Sequence, residues 1–352
     1  MQIFTILFAC IAAFVAYLNF LRGEMDVVSF GVAKITHHIL PIKFPQNDSV
    51  EPSKWRERIK SVSSPIWAKP DVNIVDIQHD GVVQDDFRLI RLYNAGNSNS
   101  EPRDVLLFLH GGGFVVGSVD ENDALCKTMA AETGFVVVSA QYSLAPEHPF
   151  PRGLNDSMAA LHWIRDNIAS YGGNPQRIFV SGESAGGNLA IAITARNLDP
   201  AYYSVQERVS IIGLLLVYPG TSGNFTLDSF VKYSNFNGIL RTSTVEHVLE
   251  LYKGGVTYGP EEFYLLPMYT PAALLAQFPP TEFVVAEYDC LRDDSLLMAQ
   301  RMREAKREMD VHVTRYRTAI HGFFGRDLFP EGHRAVVAAC RTLLKIARTG
   351  SV

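Results

Sequence analysis

The stretch that most constrains this chain is Ile178-Phe179-Val180-Ser181-Gly182-Glu183-Ser184-Ala185-Gly186-Gly187-Asn188. An apolar run of strand type leads straight into G-x-S-x-G, and a helix-forming run follows. A strand that turns into a helix within a few residues crowds its own backbone. Glycines two positions either side of Ser184, Gly182 and Gly186, remove the Cβ atoms that would obstruct the turn. The Ser184 hydroxyl then projects above the sheet. The N-terminus of the following helix brings free amides and a field that favours developing negative charge.

The rest of the chain repeats this strand-then-helix order. Strands are expected at Val72–Ile77, Phe87–Leu92, Val105–Leu109, Phe135–Ala140, Arg177–Val180, Ile211–Val217, Glu282–Ala286 and Val311–Tyr316. Helices are expected at Asn122–Glu132, Leu154–Ala169, Ala185–Asn197, Thr244–Tyr252, Asp294–Glu308 and His333–Ile346. Several strands are unbroken runs of Val, Ile, Leu and Phe, the mark of strands covered on both faces. The expected class is therefore α/β, with a mostly parallel sheet and helices on both faces. No internal repeat or low-complexity tract interrupts it. Residues 219–280 break the alternation and are expected to form a helical cap. Residues 23–70, punctuated by Pro41, Pro45, Pro52, Pro65 and Pro70, read as a linker and N-terminal cap segment.

Residues 1–21 carry no charged side chain, and Ile3–Leu21 is apolar except for Thr5 and Asn19. At about 1.5 Å per residue this run matches the ~30 Å hydrocarbon core of a bilayer. A single-pass anchor over residues 1–22 is expected, with a cleaved signal peptide and secretion as the alternative. The triplets at Asn47, Asn155 and Asn224 would accept glycans if the body faces a lumen. The four cysteines, Cys10 inside the apolar run and Cys126, Cys290 and Cys340 beyond it, argue against a full disulfide framework and leave room for one pair that the sequence does not choose. Net charge is −5 with no basic block, which argues against nucleic acid. No His/Cys spacing suits zinc, and no phosphate loop with its lysine is present, so neither metal nor nucleotide cofactor is expected.

Further residues complete a chemical set. In Leu107-Phe108-Leu109-His110-Gly111-Gly112-Gly113-Phe114, a buried-type strand opens into three glycines. Their backbone can approach a substrate carbonyl and offer amides to an oxyanion. His110 is expected to support this loop rather than to act as a base. A serine hydroxyl needs a base, and the base needs an orienting carboxylate. Asp289 stands just past the strand Glu282–Ala286, where a site on a parallel sheet is expected. Asp293 and Asp294 read as capping residues of the next helix. His321, in the loop after the last strand, is the expected base. His312, His333 and His247 fall in a strand, at a helix start and in the cap.

Four blocks taken together resemble the hormone-sensitive-lipase-like branch of the α/β-hydrolases: His110–Phe114, Tyr142-Ser143-Leu144-Ala145-Pro146-Glu147-His148, Gly182–Asn188, and Asp289-Cys290-Leu291-Arg292-Asp293 with His321-Gly322-Phe323. With its N-terminal apolar run, the chain is similar to the arylacetamide deacetylase and neutral cholesterol ester hydrolase group. The resemblance covers residues 70–347 and implies an α/β-hydrolase domain over 71–352. It implies a catalytic Ser184, Asp289 and His321, an oxyanion hole of Gly112, Gly113 and Ala185 amides, and support from His110, Gly111, Gly182 and Gly186. It implies hydrolysis of small or lipid esters without a cofactor, by a protein of the endoplasmic reticulum membrane with a lumenal body. A hormone-receptor use of the same fold, without catalysis, is the alternative; so is amide cleavage. The chain departs from the family pattern at Gln141-Tyr142-Ser143, where Asp-Tyr-Arg is usual. It also departs at Glu183, often Asp, and at Val115, a cysteine in vertebrate arylacetamide deacetylases.

Overall fold

The computed structural model describes residues 56, 70–78, 89–95, 101–234, 240–258, 262–306, 310–326 and 329–352. The expected anchor over residues 1–22, the Asn47 triplet and most of the 23–70 segment lie outside the described residues. Among the described residues, no helix is long and apolar enough to cross a membrane.

The strands are β1 (Asn73–Gln78), β2 (Leu89–Asn94), β3 (Arg103–Leu109), β4 (Val136–Gln141), β5 (Gly173–Glu183), β6 (Ile211–Val217), β7 (Thr281–Tyr288) and β8 (Val311–Ile320). They form one sheet in the order β1-β2-β4-β3-β5-β6-β7-β8. Strand β2 runs antiparallel to both β1 and β4, and every other pair is parallel. Main helices are α1 (Asp123–Thr133), α2 (Arg152–Asn167), α3 (Ala185–Leu198), α4 (Asp228–Lys232), α5 (Thr242–Lys253), α6 (Ala272–Leu275), α7 (Arg292–Ala305) and α8 (Gly332–Thr349).

Two apolar layers explain why the central strands read as unbroken hydrophobic runs. On one face, Val105, Leu107 and Leu109 of β3 pack with Leu161 of α2, Leu189 of α3 and Met298 of α7. On the other, Leu106 and Phe108 pack with Met129 of α1 and Leu343 of α8. Alternate side chains of one strand thus enter different cores, which favours apolar residues at successive positions.

Expected strands and helices recur with small changes at their ends. Strand β5 runs from Gly173 to Glu183, well past the expected Arg177–Val180. Its last three residues are small or polar, and they pair with β6 through backbone bonds that side-chain pattern does not report. The 218–280 connection carries the short α4, α5 and α6. Asn155 lies inside α2, where its Oδ1 accepts a bond from Arg196 at 2.6 Å. Cys126, Cys290 and Cys340 are buried free thiols.

Candidate active site

The site is built at the carboxyl ends of β3, β5, β7 and β8, where a parallel sheet exposes its loops. Ser184 follows β5 directly and begins α3 as its N-cap, with φ 55° and ψ −117°. A positive φ is strained for a non-glycine residue and needs support from its surroundings. The Ser184 amide donates to Val217 O at 2.8 Å, and its carbonyl accepts the Asn188 amide at 3.1 Å. Both glycines of the turn are sterically required. A Cβ on Gly182 would stand 2.2 Å from Gly186 O. One on Gly186 would stand 2.1 Å from Leu109 O and 2.4 Å from His110 O. The serine turn is therefore pressed directly against the end of β3, where the glycine loop starts.

That loop runs through positive φ at Gly112 (119°), Gly113 (61°) and Phe114 (65°). Gly112 O closes it by accepting the amides of Val115 (3.1 Å) and Val116 (3.0 Å). A Cβ on Gly112 would meet Val116 O at 2.1 Å, and one on Gly113 would meet Val248 of α5 at 2.9 Å. Gly111 lies beside the Glu183 side chain. His110 is buried beneath the loop and stacks on Tyr142, with ring centroids 4.2 Å apart. Its Nδ1 lies 2.8 Å from Gly111 O, which requires a proton on Nδ1. Burial pushes its pKa down to about 4, so it is neutral around pH 7. Tyr142 Oη donates to His110 O at 2.8 Å. Gln141, which stands where the family usually has Asp, accepts the Val119 amide at 3.1 Å and braces the same loop. Arg56 donates to Val115 O at 3.0 Å and pairs with Glu147 at 2.7 Å.

The acid and the histidine meet at this turn. Asp289 follows β7 and is buried; its Oδ1 accepts the Leu291 amide at 2.9 Å. Its Oδ2 lies 2.7 Å from His321 Nδ1, and His321 Nε2 lies 3.1 Å from Ser184 Oγ. A carboxylate accepts, so the proton sits on Nδ1 and Nε2 presents its lone pair to the serine hydroxyl. These side chains, 137 and 32 residues apart along the chain, make one continuous hydrogen-bonded row. The rival histidines lie elsewhere. His312 on β8 bonds to Glu282 at 2.7 Å, and His247 and His333 belong to α5 and α8.

One expectation is corrected. Asp293 and Asp294 sit in the first turn of α7, but neither caps it. Asp294 is fully buried and turns back to the β6–β7 connection. It accepts the Thr221 amide at 2.7 Å and bonds the Ser222 hydroxyl and amide. Burial pushes its pKa up to about 6, against those hydrogen bonds. Asp293 accepts the Ser229 amide at 2.9 Å and pairs with Arg292. The two carboxylates thus fasten α7 to the 218–280 connection.

Tyr218 escaped the sequence reading. It follows β6 directly at φ 36°, donates to Glu183 Oε2 at 2.9 Å, and lays its ring 4.6 Å from that of His321. Burial and the adjacent Glu183 carboxylate push its hydroxyl pKa far up, so it stays a donor. Its signal was present in Val217-Tyr218-Pro219-Gly220: a polar-tipped aromatic at the end of a buried strand.

Gly112, Gly113, Ser184, Ala185 and His321 line a cavity of about 270 Å³. Phe230, Leu240, Val245, Val248, Leu249 and Leu266 supply much of its apolar wall. Among the described residues, no group of His, Cys, Asp and Glu has a metal-holding arrangement. The arrangement can deprotonate a hydroxyl beside a set of backbone amides in a largely apolar pocket.

Comparison with known proteins bears on the fold and the family. Residues 106–325 match the family described as alpha/beta hydrolase fold. The chain is 30% identical over 296 residues to carboxylesterase NlhH of Mycobacterium tuberculosis (strain ATCC 25618 / H37Rv), covering 83% of this chain and 88% of that one. It is 28% identical over 299 residues to the arylacetamide deacetylase of Mus musculus, covering 68% and 73%. Among solved structures, it is similar to an alpha/beta hydrolase enzyme from the metagenome of Lake Arreo, Spain, at a TM-score of 0.79 and 26% identity over 93% of this chain and all of that one. The hyperthermophilic esterase of the archaeon Pyrobaculum calidifontis gives a TM-score of 0.73 and 27% identity over 90% and 98%.

Proposed function

This chain belongs to the α/β-hydrolase fold family, in its hormone-sensitive-lipase-like branch, and is a carboxylic ester hydrolase; we propose that it works by acyl transfer through Ser184. The row from Ser184 Oγ through His321 to Asp289, at 3.1 and 2.7 Å, carries this proposal. Ser184 Oγ attacks the ester carbonyl while His321 Nε2 takes its proton. Asp289 holds the Nδ1–H tautomer and offsets the imidazolium charge. Amides of Gly112, Gly113 and Ala185 receive the oxyanion, each donor being worth roughly 3 kcal/mol to a transition state of this type. His321 then protonates the leaving alcohol, and water repeats the attack on the acyl-enzyme. Gly182 and Gly186 hold the serine turn, and His110 and Gly111 hold the amide loop.

The apolar wall supports small or lipid esters as substrates, with the 218–280 connection acting as a cap over the cavity. The uncharged run of residues 1–21 supports a single-pass anchor and a membrane-side site; a lumenal body is what the resemblance to the arylacetamide deacetylase group implies. Activity that leaves membranes in an alkaline carbonate wash would refute the anchor. The chemistry is tested with p-nitrophenyl esters of increasing acyl length on the full-length protein and on Ser184→Ala. Activity lost in the variant supports the acyl-enzyme route, and the best acyl length measures the pocket. Activity that survives Ser184→Ala overturns it.

A further inference from the structure

The cavity beside Ser184 also holds a charge for which ester cleavage has no use. Arg326 is half-buried, lines the same cavity as Ser184 and His321, and stands shortly after His321 in the chain. Its backbone is fixed at both ends. The amide donates to Phe323 O at 3.1 Å and the carbonyl accepts the Phe329 amide at 3.1 Å. That carbonyl also lies so close to Gly332 that a Cβ there would stand 2.2 Å away. The tip is different. A guanidinium has only donors to offer, yet no hydrogen bond or ion pair engages that of Arg326 among the described residues.

The carboxylates on the cavity wall are each engaged by a protein donor. Glu183 accepts from Tyr218 at 2.9 Å, Glu121 from the Ser118 hydroxyl at 3.2 Å, and Asp294 from the Thr221 amide at 2.7 Å. Two partly buried arginines elsewhere do have carboxylate partners: Arg91 with Asp76 at 2.6 Å, and Arg292 with Asp293 at 2.8 Å. An unengaged cation in a partly enclosed cavity is a fork awaiting an anion. Its planar donors match a carboxylate, and the apolar surroundings strengthen the pair.

We propose that Arg326 is a specificity-determining residue that binds a carboxylate carried by the ester substrate, so that the enzyme favours half-esters of dicarboxylic acids over neutral esters of equal length. This inference rests on the ester-hydrolase reading of the same site. The competing role is charge balance for the buried Glu183, which lies on the same cavity wall without an ion pair to Arg326.

The test compares p-nitrophenyl hydrogen glutarate with p-nitrophenyl valerate, which differ by a terminal carboxylate in place of a methyl group. The ratio of their kcat/KM values is measured on the full-length wild type, Arg326→Met and Arg326→Lys. In Arg326→Met the ratio should fall about 10- to 100-fold, as for loss of a charge-assisted pair, and the change should lie in KM for the glutarate. Arg326→Lys, which keeps the charge but not the fork, should fall between. Because the readout is a ratio, a general loss of folded protein cancels. A ratio that is the same in all of them overturns the proposal, and is what charge balance for Glu183 would give. Ser184→Ala, run beside them, must abolish both activities; persistence there would count against the ester mechanism and not against Arg326 alone.

Discussion

Gly186→Ala isolates the contact on which the site depends. The added methyl would stand 2.1 Å from Leu109 O and 2.4 Å from His110 O, both backbone atoms that cannot rotate away. Relief requires the serine turn and the start of the glycine loop to part by about 1 Å, since overpacked atoms must be moved apart at a cost of ~1–3 kcal/mol. That displacement would part the turn carrying Ser184 from the start of the loop that carries Gly112 and Gly113. A 1 Å misplacement costs roughly 100-fold in rate, and losing an oxyanion donor costs about 100- to 1000-fold. The expected result is a kcat lower by about 100-fold or more on p-nitrophenyl butyrate, with KM changed far less. Thermal melting should fall by several degrees. Gly134→Ala is the control: Gly134 ends α1 at φ 71° with nothing within 4 Å of the added methyl. It should lose about 1 kcal/mol of stability and keep its kcat. A kcat for Gly186→Ala within threefold of wild type would refute the claim that loop and turn are held in register by this contact.

Other perturbations probe the supports. Asp294, pushed up from 3.8 to about 6 by burial, keeps its proton in the folded state at a pH where the unfolded chain has lost it. The native state then binds more protons between these values, so this group's contribution falls as pH rises from about 4 to 6, by up to ~3 kcal/mol, and is constant above. Asp294→Asn should flatten that part of the stability curve in urea melts at pH 4.5 and 7; an unchanged slope would sink the assignment. Tyr218→Phe removes the donor to Glu183 and leaves a buried carboxylate without it, at a cost of about 1–3 kcal/mol. Adding Glu183→Gln to Tyr218→Phe should return part of this loss, and strictly additive losses in a double-mutant cycle would show that the pair is not coupled.

The chain order alone was enough to assemble most of the site, because its key positions follow strands and a parallel sheet collects strand ends at one edge. Ser184 after β5, Asp289 after β7 and His321 after β8 were readable for that reason, as was the glycine loop after β3. Local pattern determined these: unbroken apolar runs, glycines at turn spacing, and polar residues where a run stops. What pattern could not reach were contacts between distant segments. Asp294 looks like a helix-start residue on local grounds, and only packing reveals that it reaches back to Thr221 and Ser222. The Tyr218–Glu183 bond and the Tyr218 ring against His321 join elements that no periodicity links. Gly186 is the clearest division between the two. The sequence determines that a glycine stands there, while the reason lies in Leu109 O and His110 O, which only the folded sheet brings to within a methyl radius. Propensity acts over a few residues; burial, close contact and hydrogen-bond partnership are settled by whichever segments the core brings together.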